Sequence, residues 1–175
     1  KIMTSFGVMY QQGALFGSMN LLDNVTLFME EYTELSQAQM DLLARCKLDL
    51  VGLLPYESYM PSEISGGMQK RAAIARAMAL DPKILFLDEP SAGLDPITSA
   101  DLDSTILDLS KNLGITFVIV SHELASIYAI ADKVIMLDKG AKGIIAEGDP
   151  KVLRDTSKDP RVHQFFNRIM SKDAA

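Results

Sequence analysis

Ile84-Leu85-Phe86-Leu87-Asp88-Glu89 is the stretch on which the reading of this chain turns. Four apolar residues run directly into two acids, and Pro90 follows. A continuous apolar run of that length suits a strand buried on both faces of a parallel sheet. Proline has no amide hydrogen to donate to a ladder, so the strand stops before it. Asp88 and Glu89 then fall at the strand's carboxyl end, the edge where open α/β sheets bind ligands. Successive strand residues point to opposite faces. The two carboxylates therefore serve different ends. One can hold a metal-bound water while the other faces an attacking water.

Outward from this strand, the chain alternates. Thr98 to Leu113 reads as a helix with Leu102, Ile106, Leu109 and Leu113 on one face, closed by Gly114. Phe117-Val-Ile-Val120 is a second apolar strand ending in Ser121-His122, and Ser121 is placed to cap a helix whose buried stripe is Leu124, Ile127 and Ala131. Val134-Ile-Met-Leu137 and Gly143-Ile-Ile-Ala-Glu147, joined across Lys139-Gly140, read as a hairpin. Short helices are expected over 150–157 and 160–170. Strand–helix alternation of this kind marks a parallel sheet with crossover helices.

Before the strand the chain is nearly all helical. Phe6 to Tyr10 is a short strand broken by Gln11-Gln12-Gly13, and Met19 to Glu30 carries Leu21, Leu22, Val25 and Phe28 at helical spacing. Ser36 and Gln39 form a capping box for a helix reaching about Gly52. A loop with Pro55 and Pro61 follows, and Ser65 caps an alanine-rich helix to about Leu80. Arg71 and Arg76 on that helix read as solvated or salt-bridged.

The 175 residues and 48% apolar content can bury a real core. A formal charge of −6 argues against nucleic acid as the main partner. Cys46 is the single cysteine, which excludes a disulfide framework or cysteine metal site and fits a reducing compartment. No apolar stretch approaches the ~20 residues of a membrane span.

Ser65-Gly66-Gly67 opens the alanine-rich helix, and a glycine-tipped helix start suits a phosphate. Taken with Arg71, Asp88-Glu89-Pro90, Ser91-Ala-Gly-Leu-Asp95 and His122 in that order, the chain from about Gly7 to Gly148 resembles the nucleotide-binding subunit of ATP-binding cassette (ABC) transporters. The resemblance implies an α/β P-loop NTPase (RecA-like) parallel-sheet core, incomplete at its N-terminus, with an α-helical subdomain. It divides the chain into a strand and Q-loop (1–12), a helical subdomain (13–80), the core (81–150) and a helical tail (151–175).

The resemblance also implies roles. Gln11, with Gln12 as the alternative, is similar to the Q-loop glutamine that touches magnesium and the attacking water. Ser65, Gly66 and Gly67 resemble the signature motif that binds the γ-phosphate held by the opposite subunit. Asp88 resembles the Walker B magnesium residue, Glu89 the catalytic carboxylate, Asp95 the D-loop aspartate and His122 the switch histidine. The implied cofactors are ATP and Mg2+. The implied partners are a second copy, with ATP sandwiched between the two, and a membrane permease on the cytoplasmic face of the inner membrane.

The sequence has no Gly-x-x-x-x-Gly-Lys-Ser/Thr loop and starts at Lys1. The expectation is that the chain is the C-terminal part of a cassette, inactive by itself. Met68, the run Gln11 to Phe16, Asp95 to Thr98 and Asp159 to Phe165 resemble the ATPases of Mla-type bacterial lipid transporters. Other readings are the ATPase of a different ABC importer and a non-catalytic module that has lost its phosphate loop. Glu89 and His122 argue against the module. A chromosome-maintenance or DNA-repair ATPase would place a long coiled coil between Gln11 and Ser65, but the 54-residue spacing holds no heptad run.

Overall fold

The computed structural model describes residues 5–168, and the last two positions of the helix expected over 160–170 lie outside them. The chain divides between Ser121 and His122 into two compact units.

In the first unit, β1 (Phe6–Met9), β2 (Ile84–Asp88) and β3 (Thr116–Val120) form a parallel sheet with β2 in the centre. Val8 aligns with Phe86 and Phe86 with Val118. The helices are α1 (Leu21–Tyr32), α2 (Gln37–Leu50), α3 (Gly66–Ala77) and α4 (Pro96–Leu113). Two 3₁₀ turns, Leu54–Tyr56 and Pro61–Glu63, occupy the loop ahead of α3. That loop caps α1. The Tyr59 and Glu57 carbonyls accept from the Leu21 and Leu22 amides, donors that the first turn of α1 cannot satisfy within the helix.

Most element boundaries follow local chemistry. The Ser36–Gln39 capping box is present, and Gly114 ends α4 in the left-handed conformation. Two expectations are corrected. Ser121 does not cap the following helix, because that helix begins two residues later, with Glu123 at its cap position. The central strand is not buried on both faces. Leu85 and Leu87 are fully buried, but Ile84 and Phe86 are 38% and 40% exposed. The alternation arises because the helices pack on one face only. There the packing is close: a Cβ on Gly7 would lie 2.1 Å from the Ala77 carbonyl oxygen of α3.

The second unit contains α5 (Leu124–Ile130), the antiparallel hairpin β4 (Val134–Asp138) and β5 (Gly143–Gly148), α6 (Pro150–Thr156) and α7 (Pro160–Asn167). Its core is Leu124, Ile127, Val162 and Phe166. No helix among the described residues is long and apolar enough to cross a membrane.

Candidate functional site

Three parallel strands put their carboxyl ends on one edge of the sheet, and the expected site residues of the first unit follow from that. Gln11 lies two residues beyond β1 and is exposed. Asp88 closes β2 and is exposed, on the same face as Ile84 and Phe86. Glu89, half-buried, leaves the strand. Its amide still donates to the Val120 carbonyl at 2.9 Å, but its φ is +46°. That left-handed conformation costs a non-glycine residue about 1–3 kcal/mol and persists only where surrounding contacts impose it. The contacts are on its own carbonyl, which accepts from the Ala92 amide at 3.2 Å and from Lys70 Nζ at 3.4 Å.

The glycine corner is built from α3 and the start of α4. Ser65 takes the N-cap position, its hydroxyl accepting from the Met68 amide at 3.3 Å. Ser65 and Gly66 are exposed, while Gly67 is buried. A Cβ on Gly67 would lie 2.3 Å from Thr98 Cγ2, whereas one on Gly66 meets nothing closer than Leu94 at 3.7 Å. Gly67 is therefore required by the packing of α3 against α4, and Gly66 leaves the corner open. Asp95 caps α4, accepting from the Ile97 and Thr98 amides at 3.0 and 3.1 Å and from the Thr98 hydroxyl at 2.5 Å. The Thr98 hydroxyl bond, then the amide bonds, hold the Asp95 carboxyl below its ordinary range.

Lys70 and Asn24, which sequence reasoning missed, and Arg76, which it read as solvated or salt-bridged, organise the segment after β1. The Lys70 ammonium donates to the Gln11 carbonyl as well as to that of Glu89. Burial lowers its pKa, opposed by the nearby Asp88 and Glu89 carboxylates. Arg76 is buried rather than solvated, at 6% exposure, and it bonds main-chain oxygens rather than a carboxylate. It donates to the Gly13 carbonyl at 2.8 Å and the Ala14 carbonyl at 2.5 Å. Its guanidinium also lies over the rings of Phe16 and Phe28, at 5.8 and 5.9 Å from their centroids. Arg71 reaches the Val51 carbonyl, at 3.5 Å. Asn24, 1% exposed, donates to the carbonyls of Phe16, Met19 and Asn20 and accepts from the Phe16 amide at 2.8 Å. The available signal was charge and amide groups set among alanines or apolar residues on helices, where burial demands a partner.

His122 opens the second unit and is exposed there, beside a shallow pocket also lined by Glu123, Leu124, Phe165 and Arg168. Among the described residues, no group of three or more His, Cys, Asp or Glu could hold a metal by itself. A single strand-end carboxylate such as Asp88 fits Mg2+, which prefers oxygen ligands, keeps several waters and takes others from phosphate.

A parallel sheet presenting adjacent acids at its carboxyl edge, with helices on one face, makes the first unit an α/β fold, and the solved ABC ATPase it is similar to shows that fold to be the P-loop NTPase one. The chain belongs to the ABC transporter family, whose sequence profile matches residues 1–92. Among solved structures it is similar to cbiO1 from Clostridium perfringens, described as part of the ABC transporter complex cbiONQ. The TM-score is 0.77 at 27% identity, covering 95% of this chain and 68% of that one. It is 43% identical over 167 residues to a probable ribonucleotide transport ATP-binding protein, mkl, of Mycobacterium leprae, covering 95% of this chain and 47% of that protein. It is also 43% identical over 162 residues to the intermembrane phospholipid transport system ATP-binding protein MlaF of Escherichia coli K12, covering 93% of this chain and 59% of that protein. The chain thus spans about half the length of the curated relatives it matches.

Proposed function

We propose that the protein carrying this chain is the ATP-hydrolysing subunit of an ABC transporter, working as a pair with ATP sandwiched between copies and docked on a membrane permease at the inner membrane. The observation that carries the reading is the placement of Asp88 and Glu89 at the end of the central strand, in a unit whose Ser65–Gly66 corner is open to solvent. Family membership and the relatives' names support it.

In this reading the catalytic step is an in-line attack of water on the γ-phosphorus, which needs charge stabilisation and an oriented nucleophile rather than a covalent intermediate. Glu89 accepts a hydrogen bond from the water and orients it. Asp88 and Gln11 would hold Mg2+, which would neutralise charge on the phosphate oxygens. His122 donates a ring N–H to a phosphate oxygen. The first-turn amides at Gly66 and Gly67 have no intrahelical carbonyl to bond, and with the Ser65 hydroxyl they offer donors to the partner copy's nucleotide. Asp95 stands beside that corner.

In this reading the 175 residues, which carry no Gly-x-x-x-x-Gly-Lys-Ser/Thr loop to cradle the phosphates, do not turn over ATP alone. The cargo is phospholipid. The resemblance of Met68 and the Asp159 to Phe165 tail to Mla-type ATPases and the MlaF relative support this, while the mkl relative, at the same identity, is named for ribonucleotides. The test is Glu89→Gln in the whole protein with its permease in phospholipid vesicles. Retained nucleotide binding with loss of hydrolysis and of lipid movement is expected. Turnover at the parent rate refutes the role of Glu89, and ATP-driven ribonucleotide uptake without lipid movement refutes the cargo.

A further inference from the structure

We infer that Lys70 is a positioning residue that ties Gln11 and Glu89 to α3, and so sets the geometry in which Glu89 orients its water. This rests on the ATPase reading above. The Lys70 side chain is 8% exposed, and its ammonium donates to two main-chain carbonyls. Those carbonyls belong to the segment after β1 and the residue after β2, 59 and 19 positions away in sequence. One cation thus joins the two segments at the carboxyl edge that carry the expected magnesium-touching glutamine and the water-orienting carboxylate.

The Glu89 carbonyl is the critical contact. Glu89 sits at φ +46°, a conformation that relaxes unless its peptide groups are held. Its amide is held by Val120 of β3 and its carbonyl by Ala92 and Lys70. Loss of the ammonium loosens the carbonyl side, and the Cα–Cβ bond that aims the carboxylate turns with the peptide. A displacement near 1 Å at a reacting group costs up to about 100-fold in rate while leaving substrate binding intact. Lys70 also stands on the helix whose first residues, Gly66 and Gly67, form the open corner, so the same bond joins that corner to the chain's own acids.

The experiment uses the whole protein carrying this chain, with steady-state ATP hydrolysis and nucleotide-binding titrations on Lys70→Met, Lys70→Arg and Glu89→Gln. The expected result is a fall in kcat of about tenfold or more for Lys70→Met, with KM and nucleotide Kd within about twofold. Lys70→Arg, which keeps donors on a stem of similar reach, recovers most of kcat. A kcat for Lys70→Met within twofold of the parent overturns the inference, as does equal loss in the Arg variant. If Lys70→Met does not fold, Lys70→Gln is read against the same thresholds. If both neutral variants fail to fold, the residue is structural and the inference falls. The levels separate cleanly: absence of ATP hydrolysis by the parent protein defeats the ATPase reading, continued turnover of Glu89→Gln defeats the water-orienting role on which this inference rests, and loss in Glu89→Gln beside a fully active Lys70→Met defeats this inference alone.

Discussion

Thr98 fills the space that a side chain on Gly67 would need, its Cγ2 standing 2.3 Å from where a Cβ would be. Thr98 cannot yield freely, because its hydroxyl is bonded to the Asp95 carboxylate at 2.5 Å. The glycine corner and the cap of α4 are therefore one packed unit. Gly67→Ala should force Thr98 off its rotamer and cost about 1–3 kcal/mol, whereas Gly66→Ala should stay within about 1 kcal/mol of the parent. Adding Thr98→Ala to Gly67→Ala should recover part of the loss. Denaturant midpoints of the variants check this, and equal effects at Gly66 and Gly67 would contradict it.

Asn24 makes four hydrogen bonds with main-chain groups from a buried position. Asn24→Ala takes the side-chain partner from the Phe16 amide and the Met19 carbonyl, while the Phe16 and Asn20 carbonyls keep the Met19 and Asn24 amides, at a cost of roughly 2–3 kcal/mol. Amide exchange should accelerate at Phe16 while the β2 amides keep their protection. Uniform acceleration would mean that Asn24 supports the whole unit rather than this loop.

Arg76→Lys should not restore what Arg76→Met loses. The guanidinium reaches two successive carbonyls and lies over two rings, a planar geometry that an ammonium cannot reproduce. Both variants should be destabilised by about 2 kcal/mol or more, read by thermal unfolding. A Lys variant as stable as the parent would show that charge alone suffices there.

In the second unit, Asp159 is pushed down to about 2, first by the Arg161 guanidinium that bonds it at 2.6 and 3.0 Å and then by the Arg161 amide. A depressed carboxyl pKa contributes stability that is full above the ordinary carboxylate range and is lost as pH falls through about 2. The group is exposed, so salt screens the effect. Arg161→Met should return the Asp159 titration toward its ordinary value, followed by carboxyl-carbon NMR. An unmoved titration would assign the shift to the cap amides instead.

Phe6, Ile84, Phe86, Val118 and Val120 are each between 37% and 61% exposed on the sheet, and Phe6 packs edge-on against Phe86. An apolar surface of that kind promotes association. The 175-residue chain should sediment as larger species at higher concentration, and Phe86→Lys should reduce this. A concentration-independent monomer would count against it.

Local chemistry was enough to read the central strand, the Ser36 capping box, the Gly114 stop, the hairpin and the order of the motif residues. Each depends on groups a few residues apart, whose steric and hydrogen-bonding demands act in any context. Burial could not be read this way. The Ile84–Leu87 run is uniformly apolar, so nothing in it distinguishes the covered residues Leu85 and Leu87 from the exposed Ile84 and Phe86. Which face is covered depends on where the helices pack. Nor could the partners of Lys70 and Arg76 be read, since a main-chain carbonyl carries no residue identity and carbonyls of both lie about 60 positions away along the chain. The sequence determined the elements and the chemical groups available at the sheet edge. The tertiary structure decided which groups are held together and which face stays open, because long-range contacts and covering layers exist only once the chain has closed on itself.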